Sequence, residues 1–325
     1  MNEREPGASQ EAPVGTQAAA DLPGPAGIDP ACALCGSRER RILFREGPHS
    51  IVRCSACELV YVTPRREERA LMAEVYGADY WRSPAARERG YSDYLGDEAL
   101  YLRTFRARWR RLARHLPRGG RALDVGCAAG FSMVALAERG FEVHGIEPSP
   151  AIRAAAVARF GAARIHGGTL VDLPHKPKSF ELISLWDVLE HLCDPLAALA
   201  RTRELLAPEG RLVIETQDVN SWAARLLGRR WTHYKHAEHL LHFSPRTLTR
   251  ALERTGFEVL FRTRRGAGKY VSPRFVAERA RRVAPWLAWA ADAAARLPVE
   301  ALYVNPQDEM IVVARRAGPG RGSSP

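Results

Sequence analysis

Four cysteines stand in two closely spaced pairs near the start of the chain. Cys32 and Cys35 form one C-x-x-C pair, Cys54 and Cys57 form the second, and 18 residues separate the pairs. Each tight turn can present two thiolates to one ion, and this spacing is typical of four-thiolate zinc sites. Because four thiolates leave no open coordination position, we expect a structural zinc ion. Redox chemistry is the alternative for any C-x-x-C pair, although a redox dithiol needs no second pair.

A glycine-rich turn lies between a predicted strand and a predicted helix. Gly126 and Gly130 flank Cys127 and Ala128 in this turn, directly after the strand that carries Asp124. A turn without bulky side chains lets backbone amides approach a ligand, and the helix N-terminus adds partial positive charge beside it. An acid inside a strand is costly to bury unless it binds something, such as the amides of the turn or an amino group of the ligand.

A second acid marks the end of the next predicted strand. Glu147 lies 21 residues after Gly126 and is followed by Pro148. A carboxylate at the carboxyl end of this strand can accept hydrogen bonds from both hydroxyls of a ribose. A surface charge is the alternative, but the position and the spacing favour ribose binding. The two motifs together predict a site for a nucleoside-containing cofactor.

These residues require a sheet that positions them. After Gly119 the chain alternates strands and helices in the manner of a parallel sheet with helices on both faces. The predicted strands are Ala122–Val125, Glu142–Ile146, Arg164–Ile165, Phe180–Trp186, Arg211–Thr216, Glu258–Arg262 and Met310–Ala314. The predicted helices are Phe131–Arg139, Pro150–Phe160, Pro195–Leu206 and Pro245–Thr255, with a further helical stretch over Ser272–Leu297. The cysteine segment carries two short β-prone pieces, Arg41–Phe44 and Leu59–Val62.

At these residues the chain resembles the class I S-adenosylmethionine-dependent methyltransferases. Their first motif is D-x-G-x-G-x-G, followed by an acid at the end of the second strand. Phe180–His191 resembles the fourth strand and following turn of that family, and Trp231–Phe243 resembles the substrate-side loop of its ubiquinone-type branch. The cysteine module resembles the zinc-ribbon front end of bacterial methyltransferases associated with glycans and natural products. The resemblance implies an α/β protein with a Rossmann-like, seven-stranded, mostly parallel sheet, preceded by a zinc-ribbon module and a helical linker.

The resemblance also implies S-adenosylmethionine as cofactor. The residues that it assigns to cofactor binding are Asp124, Gly126, Cys127, Ala128, Gly130, Glu147, Pro148, Thr169, Leu170 and Asp187. The sequence departs from the family at three positions. Ala128 replaces the middle glycine, and Glu58 replaces a glycine after the second cysteine pair. Thr169 and Leu170 stand where many relatives carry an acid for the adenine amine, so either Asp172 or the backbone would do that work.

An oxygen acceptor must lose a proton, and a histidine near neutral pKa can take it. The candidates are His191 and the four histidines at three-residue intervals, His233, His236, His239 and His242. We predict His191 or His239 as the base; a second metal in the histidine loop is the alternative. The predicted function is O-methylation of a small molecule or a sugar or glycan precursor. The alternatives are C-methylation of a nucleotide-linked sugar, an RNA methyltransferase and a non-catalytic binding protein.

The charge of the chain first suggests a nucleic-acid partner. The 325 residues carry a formal charge of +11, but only four of the 48 basic residues are lysines. A composition bias towards arginine explains this excess better than phosphate binding. Four of the arginines form a stripe on one predicted helix, which we interpret as a solvated surface rather than a phosphate contact. These are Arg103, Arg106, Arg110 and Arg114.

The chain divides into five predicted parts. Residues 1–29 are expected to be disordered, 30–64 to form the zinc-ribbon module, 65–118 a helical linker or cap, 119–316 the methyltransferase domain, and 317–325 a disordered tail. The sequence starts without a secretory signal, and no apolar run approaches the roughly 18 residues that span a bilayer. We therefore expect a cytoplasmic protein without a membrane span that acts on a small-molecule or sugar acceptor.

Overall fold

The computed structural model describes residues 27–66, 71, 80–82, 93–277, 289, 293 and 299–318. The strands of these ranges are β1 (Arg40–Glu46), β2 (His49–Cys54), β3 (Val60–Thr63), β4 (Gly120–Val125), β5 (Phe141–Ile146), β6 (Ile165–His166), β7 (Phe180–Trp186), β8 (Leu206–Gln217), β9 (Leu241–His242), β10 (Phe257–Thr263), β11 (Lys269–Val271), β12 (Leu302–Val304) and β13 (Glu309–Arg316). The helices are α1 (Glu98–Leu112), α2 (Phe131–Ala137), α3 (Pro150–Phe160), α4 (Pro195–Leu205), α5 (Trp222–Leu227) and α6 (Pro245–Arg254), and residues 273–277 are also helical.

The central sheet contains seven strands in the order β10-β13-β8-β7-β4-β5-β6. The strands β6, β5, β4, β7 and β8 are parallel, whereas β13 runs antiparallel to both β8 and β10. This sheet confirms the predicted seven-stranded, mostly parallel α/β fold. The chain order reverses between β4 and β7, and a ligand crevice forms at the carboxyl ends of strands on either side of such a reversal.

Helices cover both faces of the sheet because successive side chains of a strand point to opposite faces. On one face, Leu123 belongs to a buried cluster with Leu199 of α4 and Leu248 of α6. On the other face, Ala122 belongs to a cluster with Trp109 of α1 and Phe131 of α2. The strands therefore bury apolar side chains on both faces, which explains their near-continuous apolar sequences.

The cysteine module forms an antiparallel sheet in the order β1-β2-β3-β9. The two β-prone pieces of the sequence correspond to β1 and β3, but β2 was missed. Its sequence places Ile51 and Val52 next to each other between polar residues, so it lacks the alternation that indicates a strand. The fourth strand, β9, comes from the histidine loop and joins the module to the rest of the chain.

Helix α1 buries Phe105, Trp109 and Leu112, which recur at four- and three-residue intervals and so share one face of the helix. Its arginine stripe makes contacts within the chain: Arg106 forms an ion pair with Glu138 at 2.5 Å, and the guanidinium of Arg103 lies 4.2 Å from the ring centroid of Tyr270. These contacts support the interpretation of the stripe as protein surface.

Several of the predicted segments lie partly or wholly outside the residues that the structure describes. Residues 1–26 and 319–325, and most of the predicted Ser272–Leu297 helix, lie outside the described residues. Residues 27–29 differ from the expectation of disorder, because Ile28 exchanges two backbone hydrogen bonds with Arg65. The Asp29 carboxylate accepts a bond of 2.6 Å from Thr63. Among the described residues, no helix has both the length and the apolar character to cross a membrane.

Candidate functional site

The glycine-rich turn is tied to the end of the neighbouring strand. The amides of Gly126 and Cys127 donate to the carbonyl of Ile146 at 2.8 and 2.9 Å. Gly126 has a φ of +70°, and a Cβ at this position would lie 2.6 Å from Val188. The turn therefore requires a glycine here, for both its conformation and its packing.

The two other positions of the motif have separate roles. Ala128 adopts a φ of +48°, in the region where glycine is favoured. A non-glycine residue pays about 1 kcal/mol for this conformation, so the departure from the family pattern is tolerated. Gly130, with a φ of +80°, is the N-cap of α2, and a Cβ there would lie 2.7 Å from Phe160. Gly130 thus serves helix packing.

Glu147 lies at the carboxyl end of β5 with both carboxylate oxygens bound to backbone. Oε2 accepts from the Ala128 amide at 2.9 Å, and Oε1 accepts from the Ser149 amide at 2.8 Å. Burial raises the pKa of Glu147 to about 7, against the opposing effect of the two amides. Because each carboxylate oxygen has two lone pairs, the side chain can still accept two hydroxyl groups.

Asp124 is buried within β4 and faces the neighbouring strand. The Ser184 hydroxyl donates to Asp124 Oδ1 at 2.5 Å. Burial raises the pKa of Asp124 to about 7, although hydrogen bonds from Ser184 and Ser132 oppose the shift. Sequence reasoning missed Ser184; the signal was a hydroxyl among the apolar residues of the second half of β7, in register with Asp124.

One cavity of about 420 Å³ joins these residues to the histidines. Among the predicted cofactor residues, its lining includes Asp124, Gly126, Cys127, Ala128, Glu147, Pro148, Thr169, Leu170 and Asp187. Asp172 accepts hydrogen bonds from the amide and hydroxyl of Thr169, at 3.2 and 2.7 Å. This contact shapes the loop, and residues 168–171 line the cavity.

His191 and His239 line the same cavity, with ring centroids 4.8 Å apart. Nδ1 of His191 lies 2.9 Å from the Glu238 carbonyl, and Nδ1 of His239 lies 2.8 Å from the His233 carbonyl. A carbonyl only accepts, which assigns the proton to Nδ1 and makes Nε2 the basic atom of each neutral ring. Burial lowers the pKa of His191, and burial together with the neighbouring His191 ring lowers the pKa of His239 well below its usual value.

The other loop histidines point to different partners. His233 Nε2 lies 3.3 Å from Asp308, and His236 Nε2 lies 2.8 Å from Glu46 of β1. His242 is fully buried, and burial lowers its pKa to about 3. The loop histidines therefore do not share one centre. A different group, Glu190, His191 and His239, brings its ligand atoms within 4.8 Å of one another and has a donor set that could hold a metal ion.

Two ion pairs lie in the wall of the cavity, whose lining includes Arg108, Lys269 and Glu309. Arg108 pairs with both oxygens of Glu215, at 2.7 and 2.6 Å, and donates to the Ala267 carbonyl at 2.7 Å. Lys269 pairs with Glu309 at 2.7 Å. Sequence reasoning missed this network, but Arg108 stands between Phe105 and Trp109 on the apolar face of α1, where an unpaired charge would be costly.

The four cysteines converge as the sequence predicted. Cys32 and Cys57 Sγ lie 3.4 Å apart, as do those of Cys35 and Cys54, and all four lie within 4.8 Å of one another. None of the four forms a disulfide. A tetrahedral ion with bonds of about 2.3 Å to sulfur needs sulfur atoms roughly 3.8 Å apart, so the donors fit a structural zinc ion.

The two turns of the zinc site each place a residue with positive φ after the second cysteine. Gly36 has a φ of +76° and Glu58 a φ of +68°. The position of Glu58 thus favours glycine, in keeping with the residue found in relatives. Its carboxylate forms an ion pair of 2.6 Å with Arg246 of α6, which links the module to a helix that packs on the central sheet.

Comparisons with known proteins give a family and several similar proteins. A family model described as a methyltransferase domain matches residues 98–260. The chain is similar to ubiquinone biosynthesis O-methyltransferases of Cereibacter sphaeroides (strain ATCC 17025), at 35% identity over 131 residues, and Xylella fastidiosa (strain 9a5c), at 36% over 110. These matches cover 38% and 30% of this chain and 52% and 42% of the relatives. The chain thus spans about half the length of the curated relatives it matches, or less.

The solved structures that are similar to this chain include the following two methyltransferases. One is the 1,6-didemethyltoxoflavin-N1-methyltransferase of Burkholderia thailandensis, at 18% identity and a TM-score of 0.49, covering 86% of this chain and all of that one. The other is an S-adenosylmethionine-dependent methyltransferase of Mesorhizobium loti, at 23% identity and a TM-score of 0.43, covering 65% and 98%.

Proposed function

The chain belongs to the family of methyltransferase domains, as a class I S-adenosylmethionine-dependent enzyme, and we propose that it methylates an oxygen of a small-molecule or sugar acceptor. The observation that carries this proposal is the single cavity, in which a glycine turn and the Glu147 carboxylate face two neutral histidines. We place the cofactor at the turn and the acceptor beside the histidines.

The cofactor half has residues that could bind the ribose, the adenine and the methionine moiety of the cofactor. Glu147 would accept the two ribose hydroxyls, and the backbone beside Thr169 and Leu170 would face the adenine. Asp124 and Asp187 line the cavity near the turn and would receive the amino group of the methionine moiety. S-Adenosylmethionine supplies an electrophilic methyl group when it is bound.

The acceptor half has bases suited to the reaction. Bound S-adenosylmethionine would give its methyl group to the acceptor oxygen and would leave as a neutral thioether, while the acceptor hydroxyl would have to lose its proton. The hydroxyl proton passes to Nε2 of His191 or His239, whose Nδ1 protons are held by backbone carbonyls. Positioning and exclusion of water supply the remaining rate enhancement.

Other acceptors remain as alternative proposals, namely a carbon of a nucleotide-linked sugar or an RNA nucleotide. We also propose the domain organisation and the cytoplasmic location given by the sequence. A salt titration separates RNA from the small acceptors, because RNA affinity falls steeply as salt rises.

The direct test is mass spectrometry of candidate acceptors after incubation with methyl-labelled cofactor. We expect the label on a hydroxyl oxygen of a small or sugar acceptor. Calorimetry with S-adenosylhomocysteine tests the cofactor half separately. Absence of binding by the zinc-loaded protein would refute the assignment as a whole.

A further inference from the structure

The segment that carries His239 is attached to the cysteine module by strand pairing. Tyr61 of β3 lies opposite Leu241 of β9 in the sheet register. One residue further, the amide of Val62 donates to the Leu240 carbonyl at 2.9 Å. The edge of the module sheet therefore continues directly into the histidine loop.

The same segment is attached on its other side to the second histidine. The Leu240 amide donates to the Glu190 carbonyl at 2.9 Å, and the Glu238 carbonyl accepts from His191 Nδ1 at 2.9 Å. Leu240 thus receives a bond from the module and gives one to the turn that precedes His191. Both candidate bases depend on the position of residues 238–242.

The module also shares its core with the catalytic side of the chain. Leu34, from the first cysteine turn, and Leu59, from the second, are buried in one apolar cluster with Leu241 and Leu248, and this cluster extends to Leu123 and Val125 of the central sheet. The guanidinium of Arg254, at the end of α6, bonds the Leu34 carbonyl. The zinc ligands hold the turns that present these leucines.

The cofactor half is held differently. The amides of Gly126, Cys127, Ala128 and Ser149 bond to the Ile146 carbonyl or the Glu147 carboxylate, at 2.8 to 2.9 Å. These contacts join neighbouring strand ends of the central sheet. Their partners are supplied by the segment 126–149 itself.

From this difference we propose that the zinc-held module is the positioning element for the acceptor half of the site. The metal fixes the two cysteine turns, the turns fix β3, and β3 holds residues 238–242 and through them His191 and His239. Loss of zinc should therefore disorder the acceptor half and leave the cofactor half intact. The inference rests on the proposed function only for the identity of the two halves.

The test is hydrogen–deuterium exchange of the full-length, zinc-loaded protein, compared with Val62→Pro and Val62→Ala. The proline variant removes the amide that bonds Leu240 and leaves all four cysteines in place, whereas the alanine variant keeps that amide. For Val62→Pro we expect about tenfold faster exchange over residues 236–243, with unchanged exchange over 124–149 and an S-adenosylhomocysteine Kd within about twofold of the parent. Val62→Ala truncates a buried side chain but keeps the amide, so it should accelerate exchange over 236–243 clearly less than Val62→Pro and leave exchange over 124–149 unchanged.

Removal of zinc from the parent by a chelator should give the same pattern as Val62→Pro. Unchanged protection of 236–243 in either experiment would overturn the proposal. Equal loss of protection over 124–149, with loss of product binding, would also overturn it, because zinc would then stabilise the whole chain. If the loaded parent fails to bind S-adenosylhomocysteine, the proposed function fails, and the exchange measurements still decide the coupling of zinc to the histidine segment.

Discussion

The two halves of the cavity are built in different ways. The cofactor half comes from adjacent strand ends, and the bond between Ala128 and Glu147 spans 19 positions of sequence. The acceptor half comes from distant segments: His191 and Glu238 are 47 positions apart, and Arg108 and Ala267 are 159. The first half can form once the central sheet has formed, whereas the second needs α1, the histidine loop and the cysteine module to meet. Variants that affect one half should therefore spare the other.

Substitution of the histidines should give the largest difference between the effect on turnover and the effect on cofactor binding. Replacing the true base by glutamine, in His191→Gln or His239→Gln, should lower turnover by about 10² to 10⁴, the usual contribution of a general base. The Kd for S-adenosylhomocysteine should stay within about twofold, because neither ring belongs to the cofactor half. Turnover and calorimetry on the same preparations measure the two effects. His115→Gln, whose ring stacks on Phe261 away from these contacts, is the control; parent-like activity in both test variants would exclude the base assignment.

Glu147→Gln should have the opposite effect, because it should weaken cofactor binding and leave the histidines in place. Loss of the charge weakens both hydroxyl contacts, and charge-assisted hydrogen bonds contribute roughly 1.5 to 3 kcal/mol each. We expect an increase of about 100-fold in the Kd for S-adenosylhomocysteine, while His191 and His239 keep their contacts. Glu142→Gln alters an acid of the same strand whose side chain is half exposed, and it should bind like the parent. An unchanged Kd in Glu147→Gln would remove the ribose assignment.

Acid should weaken cofactor binding before it affects the histidines. Because burial raises the pKa of Glu147 to about 7, lowering the pH from 8 to 6 protonates the carboxylate that should accept the hydroxyls. We expect the Kd for S-adenosylhomocysteine to rise about tenfold over this interval. The pKa of His239 is lowered well below 6.5, so its base form persists across the same range. A pH-independent Kd, measured by calorimetry, would argue against a titrating carboxylate at the ribose position.

The sequence could predict that the glycine turn and Glu147 meet because the signals for this contact are local. Gly126 is required by its own φ and by one neighbouring side chain, and Glu147 ends the next strand, so the spacing along the chain determines their meeting. Alternating strands and helices likewise determined the central sheet. Residues whose partners lie on neighbouring strands in register could be found from sequence in principle, as Ser184 beside Asp124 illustrates.

The contacts around His191 and His239 could not be predicted from the sequence because they depend on tertiary docking. Strand β9 has only two residues, and nothing in their sequence indicates that they pair with β3, some 180 positions earlier. The partner of Arg108 could not be chosen among the many acids of the chain, although its place on an apolar helix face indicated that a partner must exist. The histidines were recognised as candidates from the sequence. Only the folded chain shows that His191 and His239 line the cavity, that His242 is fully buried and that His236 contacts the cysteine module.

The smallest expected effect concerns the pH dependence of stability, in which the two halves should oppose each other. His242 has a pKa of about 3 when folded and about 6.5 when unfolded, so the unfolded chain binds the extra proton and stability falls as the pH drops below 6.5. Glu147 has a pKa of about 7 when folded against 4.5 as its ordinary value, so the folded chain binds the extra proton and stability falls as the pH rises from 4.5 to 7. Each group should change the free energy of unfolding by about 1 kcal/mol between pH 5.5 and 7. Urea unfolding at the two pH values measures both effects. On raising the pH, His242→Phe should remove a gain in the free energy of unfolding, and Glu147→Gln should remove a loss. A change of the same sign in both variants would contradict this prediction, because the two groups would then bind their extra protons in the same state of the chain.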